Sequence, residues 1–155
     1  MRARFVLLGA ALTIGLAACG GGSGGDKATT PAGAKAAAGQ TSIKLSTSSL
    51  GNILTDQSGR TLYAFTNDKG GTSSCTGQCI ATWPALASKD KVTTAAGANP
   101  ALLKETRRAE GTSQATYGDW PLYYYAGDMG PGDVDGQGVD GVWFVVGADG
   151  KLIKQ

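Results

Sequence analysis

The places where this chain of 155 residues could do chemistry are few, because it contains no histidine. That absence removes imidazole acid–base catalysis, imidazole-dependent serine triads, His-ligated zinc or copper and c-type haem attachment. Thiols and carboxylates remain. Cys75 and Cys79 stand four apart in a polar loop, an even pair that reads as a small-ring disulfide pinning that loop to Trp83 if the chain is exported. The sharper alternative is a redox or metal-handling pair. Against it stand the Cys-x-x-x-Cys spacing and the lack of a visible helix N-terminus or histidine to lower a thiol pKa.

Carboxylates concentrate between Asp128 and Gly141. Measured against an EF-hand loop, Asp133, Asp135 and Gln137 take the first, third and fifth positions and Gly138 the glycine position, but Phe144 falls where the bidentate Glu belongs. Asp128, Asp133, Asp135, Gln137 and Asp140 are therefore a candidate calcium site carrying half a motif, and a glycine-rich turn with Asp side chains bonded to nearby amides is the plainer alternative. Asp68 and Asp128 could serve as a glycosidase couple, but both lie three residues beyond an aromatic and are better explained as turn residues. Lys104, Arg107 and Arg108 read as a solvated face.

These side chains are placed by a repeat. Leu62-Tyr63-Ala64-Phe65-Thr66-Asn67-Asp68 returns sixty positions later as Leu122-Tyr123-Tyr124-Tyr125-Ala126-Gly127-Asp128, and the same offset superposes Trp83 on Trp143, Gly51 on Gly111 and Gly70 on Gly130. Repeat one spans about 50–86 and repeat two about 110–146. Short alternating runs broken by Gly, Asp and Asn predict an all-β domain, small and mainly antiparallel, over residues 43–155. Asp56 to Gly59 is a turn, Thr106–Arg108 with Ser113–Tyr117 a hairpin, and Val142–Val146 with Lys151–Ile153 a closing hairpin. In the first repeated strand Leu62 and Ala64 face one way, Tyr63 and Phe65 the other. Asn99-Pro100 followed by Ala101 to Lys104 predicts the one helical turn. Tyr63, Phe65, Trp120, Tyr123 and Tyr125 are candidate binding residues for sugars or peptidoglycan, and otherwise part of the core.

Residues 1–19 read as a secretion signal, with Arg2 and Arg4 before a short apolar run from Phe5 to Leu16, too short to span a bilayer. The run ends in Leu16-Ala17-Ala18-Cys19, which resembles a bacterial lipobox and implies lipidation of Cys19. Residues 20–42, rich in Gly, Ala and Thr, predict a flexible tether. The chain has 14 Lys and Arg against 12 Asp and Glu; loss of Arg2 and Arg4 leaves 12 of each. A neutral mature chain gives no electrostatic reason to expect nucleic acid as a partner, so attachment falls to the membrane through the acyl chains.

The blocks Gly51–Asp56, Gly59–Phe65, Cys75–Pro84, Gly118–Tyr125 and Gly132–Trp143, in this order, resemble the predicted lipoproteins with a Tyr-x-aromatic-x-x-Asp motif, the secreted repeats of unknown function. The resemblance implies a bacterial, extracytoplasmic, duplicated β domain on a lipid anchor, and it brings no catalytic residue. The expectation is a membrane-anchored lipoprotein on the outer side of the cytoplasmic membrane, at the surface or in a periplasm. It would act as a non-enzymatic binding or interaction module, with a cell-wall or envelope component as partner.

Overall fold

The computed structural model describes residues 40–154. The leader with Cys19 and nearly all of the tether lie outside the described residues. Strands dominate. β1 (Ser42–Ser48) and β2 (Gly51–Asp56) form an antiparallel hairpin with Ile43 opposite Asp56 and Ser48 opposite Gly51. The chain then turns at Asp56, whose Oδ1 accepts hydrogen bonds from the Ser58 amide, the Ser58 hydroxyl and the Arg60 amide. Asp fills this position because its short side chain can bond its own downstream backbone, and Gly59 supplies the positive φ of 91°.

β3 (Tyr63–Phe65) follows, then a polar loop and the five-residue helix α1 (Gln78–Thr82). β4 (Thr93–Thr94) runs parallel to β1 at the sheet edge. β5 (Leu103–Arg107), β6 (Ser113–Tyr117) and β7 (Trp120–Pro121) form an antiparallel sheet, and β8 (Trp143–Val145) pairs antiparallel with β3. No helix among the described residues is long and apolar enough to cross a membrane.

The helix prediction is corrected. Asn99 does cap, accepting from the Ala101 amide at 3.0 Å, but the chain makes a single turn and enters β5 at Leu103. Pairing of Leu103 with Tyr117 across the sheet outweighs a local propensity worth only tenths of a kcal/mol per residue. The helix forms instead at Gln78–Thr82 and stops at Trp83, which the following Pro84 holds in an extended conformation.

The two halves are interleaved. Tyr63 and Tyr123 exchange both backbone hydrogen bonds, at 2.8 and 2.9 Å. The segment closing each half crosses to the other half: β8 lies on β3, while Pro84 and Leu86 bond to Tyr124 and Leu122. The amide of Thr66 reaches the Val142 carbonyl and that of Ala126 reaches the Thr82 carbonyl, both at 2.9 Å. The offset of sixty in the sequence has become an approximate two-fold axis passing between Tyr63 and Tyr123.

Alternation along the repeated strands divides the interior into two cores. Leu62, Ala64, Leu122 and Tyr124 join Ile43, Leu54, Leu86, Tyr117 and Val146 on one face. Tyr63, Phe65, Tyr123 and Tyr125 join Trp83, Trp143, Ile53 and Val145 on the other. Complete burial of a large side chain contributes roughly 1.5–3 kcal/mol. Tyr63 and Tyr123, both fully buried, are therefore principal anchors of the second core.

Candidate functional site

The second core is built around a column of four rings. Trp83 and Trp143 stack at 3.8 Å with planes 4° apart; Phe65 stacks on Trp143 at 4.4 Å, and Tyr125 lies against Trp83 at 4.4 Å. Each half contributes one strand aromatic and one tryptophan, and each tryptophan packs on the strand aromatic of the opposite half. Tyr63 and Tyr123 meet Trp83 and Trp143 edge-on.

Behind the column the motif's tyrosines and aspartates bond crosswise. The Tyr63 hydroxyl donates to Asp128 Oδ2 at 2.9 Å, and the Tyr123 hydroxyl donates to Asp68 Oδ2 at 2.6 Å. Asp68 Oδ1 also accepts from the Ser74 amide and hydroxyl, and Asp128 Oδ1 accepts from the Asp135 amide. Burial, followed by the bond to the carboxylate, holds both phenols well above their ordinary range. Burial also raises the Asp128 carboxyl, an effect offset in part by the bonds it accepts. Tyr63 and Tyr123 are thus interior groups and offer no ring to a ligand.

The acidic loop folds on itself. Asp133 Oδ2 accepts from the amides of Met129 and Gly130, and Gln137 bridges the Ile153 carbonyl and the Val145 amide. Asp135 and Asp140 are exposed. Among the described residues no group of three or more Cys, Asp or Glu side chains gathers as a metal site.

Cys75 and Cys79 are bonded, with Cα atoms 5.3 Å apart, tying the polar loop to α1. Arg108 departs from the expected solvated face. It is buried, and its guanidinium donates to Ser73 Oγ, Gln114 Oε1 and the Cys75 carbonyl while pairing with Glu110. That set is possible because the Asp68 loop folds over the β5–β6 hairpin and offers the Ser73 hydroxyl and the Cys75 carbonyl to the same fork that Gln114 of β6 meets. Lys104 and Arg107 are exposed as expected.

A cleft of about 400 Å³ opens over the ring column. Its lining falls into pairs related by the offset of sixty: Phe65 with Tyr125, Trp83 with Trp143, Thr82 with Val142, and Cys79 with Val139. Asn67, Gln78 and Asp140 complete it. Of the candidate binding residues, Phe65 and Tyr125 reach this cleft, whereas Trp120 belongs to a separate depression with Lys69, Lys151 and Lys154. A broader depression of about 480 Å³ carries Lys89 and Arg107, but its walls are mostly exposed and Arg107 already donates to the Gly111 carbonyl.

The family model described as a secreted repeat of unknown function matches residues 44–87 and again 105–147, more than half of the chain. The chain belongs to the secreted repeats of unknown function. No curated protein and no solved structure matches it. In this secreted repeat each matched segment holds one Tyr–Asp motif and one of the two stacked tryptophans, so neither segment alone contains a bonded Tyr–Asp pair or the stacked indoles. The equivalence of Trp83 and Trp143 was visible in the sequence and could have marked them as site residues. Nothing in the residue types of Thr82 and Val142, or Cys79 and Val139, announced that they line one cleft.

Proposed function

We propose that this secreted repeat is a lipid-anchored, non-enzymatic binding module of the cell envelope, held outside the cytoplasmic membrane through Cys19, with the cleft over the ring column as its contact site. The observation that carries the reading is the cleft's construction: equivalent residues from both halves meet there, with half-buried Phe65 and Tyr125 beside exposed Asn67, Gln78, Thr82 and Asp140. The chemical inventory points the same way. The chain has no histidine, and Asp68 and Asp128 spend their oxygens on tyrosine hydroxyls, Ser74 and backbone amides. The leader and lipobox supply the location.

The test uses the full-length chain with a photoreactive amino acid in place of exposed Asn67 at the cleft, and as control in place of exposed Lys104 on β5. Irradiation of intact cells is expected to yield an adduct with an envelope component from position 67 and none from position 104. Equal yields from both positions, or no adduct from either, refute the site. Cell-wall turnover abolished by Asp68→Asn would refute the non-enzymatic role, and a mass spectrum with unacylated Cys19 would refute the anchor.

A further inference from the structure

We infer that the cleft is a site for a neutral saccharide of one or two rings. This rests on the cleft being the contact site and names the chemistry of what it holds. Trp83 and Trp143 are 4% and 2% exposed, yet among the described residues neither indole N–H meets an acceptor. Among the described residues no side-chain nitrogen or oxygen sealed away from solvent is left without a partner, so these N–H groups keep contact with solvent, and both tryptophans line the cleft. Nearly buried indoles ordinarily find an acceptor within the protein, and here their N–H groups are left to solvent, where a ligand oxygen can take the place of water.

The remaining polar lining narrows the class. Asn67, Gln78, Thr82 and Asp140 are exposed at the cleft and are spent on no hydrogen bond to another described side chain. The amides both donate and accept, while the Asp140 carboxylate only accepts. A ligand that both accepts and donates matches this lining of donors, amides and a carboxylate; sugar hydroxyls do both, and carbonyl-only or ether ligands do not. No Lys or Arg lines the cleft, so its single formal charge is negative and an anionic ligand is disfavoured. Phe65 and Tyr125 at the two ends of the column give the C–H faces of a sugar ring apolar surface. The volume of about 400 Å³ suits a small ligand rather than a length of polymer backbone.

Calorimetric titration of the full-length chain with cellobiose and chitobiose, neutral disaccharides without and with N-acetyl groups, tests the inference. Digalacturonic acid is the anionic comparison. Saturable binding of at least one neutral disaccharide is expected, with the acid at least about tenfold weaker, a gap that Asp140→Asn should close. Trp83→Phe and Trp143→Phe keep a ring in the stack and remove one donor, and each should weaken binding about tenfold at an unchanged oligomeric state and secondary structure. Trp120→Phe, outside the cleft, should change nothing. Should a tryptophan variant fail to fold, exposed Gln78→Ala and Asp140→Asn carry the test. No saturation by either neutral disaccharide up to about 10 mM, or wild-type affinity in the cleft variants, overturns the inference. If that happens while Asn67 still crosslinks, the binding module stands with a different ligand.

Discussion

Tyr63 and Tyr123 each give their hydroxyl to an aspartate of the opposite half, and this exchange governs how the protein responds to alkali. Burial, then the bond to Asp128, raises the Tyr63 phenol; burial, then the bond to Asp68, raises Tyr123; burial, then the charge of Asp56, raises Tyr124. A tyrosine whose folded pKa lies above its unfolded value contributes stability that is fully present below the unfolded pKa of about 10 and is lost as pH rises beyond it. We therefore expect the urea midpoint to hold steady up to pH about 10 and fall above it. The phenolate absorbance of these three residues should appear only together with loss of the folded near-ultraviolet signal. Phenolate formation by all five tyrosines at ordinary pH in an intact fold would contradict the buried pairs.

At the scale of elements, the loop from Asp128 to Gly141 is shaped by the column it covers. Gly136 donates its amide to the Tyr63 hydroxyl at 3.2 Å, and a Cβ at this position would stand 2.8 Å from the Tyr63 ring and 2.9 Å from that of Trp83. Both rings are wedged in the second core and neither can swing away. Gly136→Ala should accordingly cost about 1–3 kcal/mol in chemical denaturation, the range for overpacking a filled core. A loss below a few tenths of a kcal/mol would mean that the loop does not press on these rings. In the sequence this glycine was one of many in the acidic stretch, and the EF-hand comparison drew attention to Gly138 instead. Packing against two rings distant in sequence is what distinguishes Gly136, and no local pattern encodes it.

For the whole molecule, the crossing of the closing segments makes the halves interdependent. Residues 40–97 alone would lack the strand that covers β3, and residues 98–155 would lack the segment that covers Leu122 to Tyr124. Each would expose half of a ring column. We expect either fragment, expressed separately, to be unfolded by circular dichroism. Mixing the two should recover β structure and a slow, concentration-dependent return of tryptophan fluorescence. A fragment that melts cooperatively on its own would show that the repeats are autonomous.

Repeat offset, strand alternation and turn chemistry are local and periodic, so the duplication, the all-β class, most turns and hairpins, and the division of Leu62 and Ala64 from Tyr63 and Phe65 are legible in the chain. It also placed Tyr63, Phe65, Tyr123 and Tyr125 among the residues that matter. It took the fold to show that Tyr63 bonds Asp128 and Tyr123 bonds Asp68, that Arg108 is buried beneath the loop, and that the two tryptophans stack. The physical reason is the crossing itself: a duplicated sequence is equally compatible with each half closing on its own strand or on its twin's. The choice between them lies in burying both indoles against each other, a contact spanning sixty residues that no window of sequence contains.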